Sequence, residues 1–245
     1  MTGEPPKPSC HFSIKLKKSA YSISSRRIKQ KSNTTSDKCS TFTVPLKAPN
    51  CWINDPNGFI WYKGQYHLFY QCFPYAPQWG RMHWGHAVSK DLVNWEEKGI
   101  ALYPTKTDDR SGCFSGSAVE QDRTLYLFYT GVNYLEENPE DINQCRNDQF
   151  FAAQMMISSD DGMTFDNVKR KKTVIPPITE KQIGSKTNTR DPKVCRGKDA
   201  WYLVLGSSVD HKGRLLIYKS SDLQNWTYLS HVEKDNFGWM WECPD

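Results

Sequence analysis

"SKDLVNW", residues 89–95, returns as "SSDLQNW" at 220–226 and, in looser form, as "SDDGMTF" at 159–165. Each copy reads Ser, any residue, Asp, Leu or Gly, two further residues, then Trp or Phe. The aspartates Asp91, Asp161 and Asp222 are separated by 70 and 61 residues, the mark of a chain built from repeated supersecondary units. Working outward from the turn, more of the unit recurs. Aromatic-rich runs precede it: "QYHLFYQ" (65–71), "LYLFYTG" (125–131) and "WYLVLGS" (201–207). Between run and turn lies another strand, seen in "MHWGHAVS" (82–89), "FFAAQMMIS" (150–158) and "GRLLIYKS" (213–220). The Trp or Phe that closes the turn opens a fourth strand, and an initial strand begins each unit, as in "GFIWYKG" or "DPKVCRG". Four short strands per unit predict an all-β chain arranged as a β-propeller. A sandwich would supply many strands without the self-similarity.

Composition agrees. Aromatic residues make up 13% of the 245, with nine Trp and twelve Tyr, a bias suited to pleated, half-buried surfaces. No apolar run approaches the roughly 18 residues of a membrane span. The net charge of +5 resolves on inspection: residues 1–41 hold nine Lys/Arg against two acids, the remainder 23 against 25. The chain therefore divides into a basic, Ser-rich extension at 1–41, expected to be disordered, and a near-neutral body at 42–245. A nucleic-acid or membrane partner is not expected. The extension has no apolar h-region and the eight cysteines include no C-x-x-C pair, so reduced thiols and a cytoplasmic location are expected. His83 and His86, three apart on a strand, face opposite sides, which argues against a metal between them.

Four segments fall at one place in the repeat: "NDPNG" (54–58), "FSGSA" (114–118), "RDPKV" (190–194) and "WECPD" (241–245). Each stands at the entrance to the first strand of a unit. First strands are innermost in a propeller, so Asp55, Asp191 and Glu242 are expected to converge at the rim of its channel. Proline restricts the residue before it, so both Asp-Pro pairs predict an extended aspartate, and Asn57-Gly58 predicts a tight turn. Arg190 is expected to keep Asp191 ionised. Glu242, between Trp241 and Cys243, is expected to be buried beside an aromatic, the setting of a general acid. Two carboxylates in different environments suffice for retaining glycoside hydrolysis, one as nucleophile and one as acid. A third can bind sugar hydroxyls, while Trp52, Trp79, Trp84 and Phe114 offer apolar walls. No P-loop, G-x-G-x-x-G or G-x-S-x-G supports another chemistry.

In this order, W-I-N-D-P-N-G, Y-H-L-F-Y-Q, H-W-G-H-A-V-S-x-D-L-x-x-W, F-S-G-S-A, R-D-P-K-V and W-E-C-P-D strongly resemble the β-fructofuranosidases of glycoside hydrolase family 32, the invertases and sucrose-6-phosphate hydrolases. The resemblance runs from about residue 48 to the end. It implies a five-bladed propeller with a funnel-shaped site, usually followed by a β-sandwich, and a retaining mechanism without metal or other cofactor. It also implies roles: Asp55 as nucleophile, Glu242 as general acid/base, Asp191 as transition-state stabiliser. Asn54, Gln71, Trp79, Phe114, Ser115 and Arg190 match positions lining the fructose subsite. Cys243 matches the cysteine beside the acid. The implied reaction removes a terminal β-fructofuranoside from sucrose or sucrose 6-phosphate. Alternatives are a fructan hydrolase or fructosyltransferase, or an inactive carbohydrate-binding propeller.

Two departures stand out. Thr189 replaces the phenylalanine usual before R-D-P, and Gln71-Cys72-Phe73-Pro74 stands where Q-Y-N-P is common. The sequence also ends three residues after Glu242, so the expected architecture is about three blades plus the start of a fourth. The C-terminal blades and sandwich are then absent, and uncovered blade faces are expected to favour self-association.

Overall fold

The computed structural model describes residues 51–245; the basic extension at 1–41 and the first residues of the 42–245 unit lie outside them. Three four-stranded antiparallel sheets follow one another. Blade 1 contains β1 (Trp52–Tyr62), β2 (Gln65–Phe73), β3 (His83–Ser89) and β4 (Trp95–Leu102). Blade 2 starts with β5 (Gly112–Gln121) and β6 (Thr124–Tyr134) and ends with β9 (Phe150–Ser159) and β10 (Lys172–Ile175). A small hairpin, β7 (Glu137–Asn138) and β8 (Asp141–Cys145), is inserted before β9. Blade 3 contains β11 (Thr189–Arg196), β12 (Trp201–Val209), β13 (Lys212–Ser220) and β14 (Thr227–Glu233). Each sheet is an in-order meander, the blade of a β-propeller. Among the described residues no helix is long and apolar enough to cross a membrane.

The repeated turn is built alike three times. In blade 1 the Ser89 hydroxyl accepts the amide of Leu92 at 2.9 Å, while Asp91 Oδ1 accepts those of Val93 and Asn94 at 2.9 and 2.7 Å. In blade 3 Ser220 accepts Leu223 at 3.0 Å, and Asp222 accepts Gln224 and Asn225 at 2.9 and 2.8 Å. Blade 2 matches with Ser159, Asp161, Gly162, Met163 and Thr164. The residue after each aspartate is left-handed: Leu92 at φ 65°, Gly162 at φ 76°, Leu223 at φ 65°. These amides, led by those of Asn94 and Asn225, hold the carboxyls of Asp91 and Asp222 well below the usual range. The Asp in the repeat is therefore a structural ligand for free N–H groups.

In blades 1 and 3 the fourth strand begins at or beside the closing aromatic, at Trp95 and Thr227. Blade 2 differs from expectation, for β10 starts at Lys172, not at Phe165. Asp166 intervenes by accepting the amides of Val168 and Lys169 at 3.1 and 2.9 Å, folding a further turn.

Blade 2 is buried on both faces. Because successive residues of a strand point to opposite sides, Leu125, Leu127 and Tyr129 of β6 join Phe69, Trp84 and Leu102 of blade 1 in one cluster. Phe128 of the same strand joins Leu203, Leu205 and Leu216 of blade 3 in another. This double burial explains the near-continuous apolar run at 125–131.

The first strands lie side by side, β5 between β1 and β11. Gly116 N–H donates to Asn57 Oδ1 at 3.2 Å across one seam. Ser117 Oγ donates to Pro192 O at 2.7 Å and accepts from Val194 N at 3.0 Å across the other. All three carry a break in register at the same height: between Ile53 and Pro56, Cys113 and Gly116, and Arg190 and Lys193. Such bulges re-aim side chains and recur beside active sites. The residues inside the breaks are Asn54-Asp55, Phe114-Ser115 and Asp191-Pro192. Three of the four motifs thus lie within the inner strands rather than at their entrance, and the fourth, 241–245, lies outside any strand. Asn57-Gly58 likewise makes no loop turn: Gly58, at φ +52°, sits inside β1 at a second break, between Asn57 and Ile60.

Candidate active site

Five of the expected residues form one chain of four hydrogen bonds. Trp52 Nε1 donates to Asn54 Oδ1 at 2.8 Å, Asn54 Nδ2 to Gln71 Oε1 at 2.9 Å, and Gln71 Nε2 to Ser115 Oγ at 2.8 Å. Ser115 Oγ in turn donates to Asp55 Oδ2 at 2.7 Å. Gln71 and Ser115 are buried, whereas Asp55 is exposed. The bulge turns Asp55 out to solvent while β2 and β5 fix one of its oxygens.

Asp191 is the opposite case, a carboxylate 8% exposed. Its Oδ2 accepts from the backbone N–H of Cys243 at 2.9 Å and from the Cys243 thiol at 3.5 Å. Burial pushes its pKa up, and the bond from Cys243 N–H and the charge of Arg190 oppose that only in part. Arg190 does favour the ionised form, as expected, but desolvation outweighs it in setting the direction of the shift. Arg190 instead bonds Asn188 Oδ1 at 2.8 Å and approaches Glu242 Oε1 at 3.4 Å. Asp191 is not extended either, having φ +62°. Cys243, also before a proline, has φ +49°. Both occupy a region costly for L-residues, and such positions collect at functional sites.

Asp191→Asn is expected to raise the melting temperature near neutral pH, since Asn can still accept from Cys243 without a buried charge. A carboxyl whose folded pKa exceeds its unfolded value binds more protons when folded, so the wild type gains stability as pH falls through the folded value. The advantage of Asn should therefore shrink as pH falls through the raised folded value towards the ordinary aspartate range. A variant that melts below the wild type near neutral pH would overturn this.

Glu242 corrects another expectation. Its side chain is 54% exposed and lies beside Arg190, not buried against an aromatic. Residues 241–245 form no strand; they are laid on blade 3. The Trp241 indole donates to Phe237 O at 2.7 Å and covers Gly213, where a Cβ would lie 2.2 Å from the ring. At Gly206 a Cβ would lie 2.0 Å from Trp241 O and 3.1 Å from Glu242 Cα. Gly206→Ala should accordingly displace residues 241–242 and cost about 1–3 kcal/mol of stability, with β12 otherwise intact by circular dichroism. Unchanged stability would show that Gly206 does not set this position.

The three acids share one environment. The Cys243 thiol, on a residue exposed as a whole, is pushed up to about 12, first by burial and then by the charges of Asp191, Asp55 and Glu242. It stays protonated and donates to Asp191. Trp79 and Phe114 meet edge to face, ring centroids 6.2 Å apart, and Trp79 remains 39% exposed. The Phe114 carbonyl is held by Trp84 Nε1 at 3.0 Å. Trp84 is fully buried and belongs to the core, not to a sugar-facing wall. Trp52 supports Asn54 as a hydrogen-bond donor, a role the sequence reading did not give it.

The scaffold is that of a β-propeller, and it carries an exposed acid, a buried acid and a third acid beside an arginine. Residues 46–245 match the glycosyl hydrolases family 32 N-terminal domain, and the chain belongs to this family. A sucrose-6-phosphate hydrolase of Escherichia coli is 40% identical over 204 residues, covering 82% of this chain and 40% of that protein. A GH32 β-fructofuranosidase of Bombyx mori, solved as a mutant in complex with sucrose, superposes with a TM-score of 0.68 at 41% identity. It covers 81% of this chain and 39% of that one. Fructan 1-exohydrolase IIa from Cichorium intybus gives 0.65 at 32% identity, covering 81% and 35%. The chain therefore spans about two fifths of the length of the curated relatives it matches.

Proposed function

We propose that this protein is a retaining β-fructofuranosidase acting on sucrose or sucrose 6-phosphate. The observation that carries the reading is the pairing of an exposed Asp55, held through one oxygen by Ser115, with Glu242 and a buried Asp191. In the first step an Asp55 oxygen bonds to the fructosyl anomeric carbon as the glycosidic C–O bond breaks, and Glu242 gives its proton to the leaving oxygen. In the second, Glu242 takes a proton from water, whose oxygen displaces Asp55 from that carbon. Asp191 would hold fructose hydroxyls; Asn54, Gln71, Ser115 and Arg190 would define the subsite, and Trp79 and Phe114 its apolar wall. The E. coli relative, named for the phosphorylated substrate, supports sucrose 6-phosphate and with it a cytoplasmic location.

The test is release of fructose from sucrose, sucrose 6-phosphate and inulin by the purified protein, with the first-formed anomer followed by NMR. Release of β-fructofuranose from sucrose or its phosphate is expected. Faster release from inulin would favour the fructan hydrolase reading, and silence on all three would overturn the proposal.

A further inference from the structure

We infer that Thr130 and Gln154 are positioning residues for Asp191; the inference rests on the reading of Asp191 as the carboxylate that holds the substrate. The break in register between Arg190 and Lys193 removes the ladder acceptor from the Asp191 amide, which is buried. A buried N–H without a partner is costly, and here it donates to Thr130 Oγ1 of β6 at 3.0 Å. Thr130 gives its own proton to Gln154 Oε1 at 2.8 Å. Gln154, directly across the ladder on β9, donates Nε2 to Thr189 O at 3.1 Å.

The result is a clip reaching from blade 2 into blade 3. It grips the chain on both sides of Arg190, by the carbonyl of Thr189 and the amide of Asp191. Thr130 is 0%, Gln154 1% and Thr189 1% exposed, so water does not compete for these bonds. A hydroxyl that must donate to Gln154 can only accept from Asp191, and an amide that donates to Thr189 must turn its oxygen to Thr130. Each member fixes the next. The backbone so held is the left-handed one at Asp191, φ +62°, a region that costs an L-residue energy and is disfavoured further before a proline. The clip thereby sets where the carboxylate points.

Thr130→Val keeps the shape and removes the acceptor; Thr130→Ser keeps the acceptor. Thr130→Val is expected to lower kcat about 10- to 100-fold, the range for a small misplacement of a reacting group, with KM changed less. Thr130→Ser should stay within about 3-fold of the wild type in kcat, because the hydroxyl survives. In an Asp191→Asn background Thr130→Val should lower kcat/KM no further, since residues acting as a unit are non-additive. A merely structural role would instead show equal losses for Val and Ser, or additive losses with Asp191→Asn, and either outcome overturns the inference. Amide hydrogen exchange supplies a reading independent of turnover. The Asp191 N–H should be protected in the wild type and in Thr130→Ser and exchange at least about 10-fold faster in Thr130→Val. Equal exchange overturns the clip, whereas a wild type silent on every sugar overturns the hydrolase reading and leaves exchange to decide the clip.

Discussion

Asp55→Asn is expected to abolish fructose release, lowering kcat by about 10⁴-fold or more, the scale seen when a covalent nucleophile is removed. The loss should be chemical and not structural. Asn retains an oxygen to accept from Ser115, so the chain through Gln71, Asn54 and Trp52 persists. Asp55 is exposed, and no buried charge is created or removed. Unfolding free energy should stay within about 0.5 kcal/mol of the wild type, as for surface substitutions generally. Steady-state assays on sucrose beside urea unfolding curves decide the matter. Residual activity within about 100-fold of the wild type would point to another nucleophile, and lost activity with collapsed stability would return Asp55 to a structural role.

Lys171→Met is expected to cost about 3–5 kcal/mol of stability. Lys171 Nζ lies 2.6 Å from Asp109 Oδ2 and both side chains are wholly buried. The lysine also donates to Tyr103 O. Asp109 further accepts from Tyr129 OH at 2.8 Å and from the amides of Thr105 and Lys106 at 2.9 and 2.7 Å. This carboxylate joins the segment that follows blade 1, the inner face of β6 and the segment that precedes β10. Removing the ammonium leaves an uncompensated charge in the interior, the costly way to break a buried pair. Asp109→Asn combined with Lys171→Met should recover part of the loss, because neither charge remains. Denaturant midpoints of the single and double variants test this; a single variant costing less than about 1 kcal/mol would refute it.

The sequence and the structure agree where short-range chemistry repeats. Ser-x-Asp with a left-handed following residue is a local device, so three copies disclosed three blades, and their strand runs fell where the alternation put them. His83 and His86 do face opposite sides: His83 bonds Arg81 O at 2.9 Å, while His86 Nε2 meets His67 Nδ1 at 3.0 Å inside blade 1. Features that depend on distant partners were not legible. The bulges sit in the pairings of β1, β5 and β11 with the second strands of their blades, and no rule of local sequence announces them. Lys171 and Asp109 are 62 residues apart and carry no motif. The inserted hairpin before β9 has no counterpart in the other blades, so self-similarity could not announce it. Pre-proline rules failed at Asp191 and Cys243 because tertiary hydrogen bonds stabilise the disfavoured backbone, which is where local rules are expected to yield. Glu242 was misjudged for a simpler reason: neighbours in sequence, Trp241 and Cys243, do not share its direction.

One consequence follows from the bonds that end on Asp55. Amides and hydroxyls can each both donate and accept, so a chain of them has two senses. The indole at its head has no such choice, since Trp52 Nε1 can only donate. That decides which way Asn54 faces, hence Gln71, hence where the Ser115 proton goes: to the aspartate, with no lone pair turned against it. Polarity is thus written at residue 52 and read at residue 55 through three intermediaries. Trp52→Phe would erase the instruction while leaving every other group in place. The Asp55 carboxylate, which can only accept, would then be left as the sole group directing the Ser115 proton, and Asn54 and Gln71 would lose the restraint at the far end of the chain.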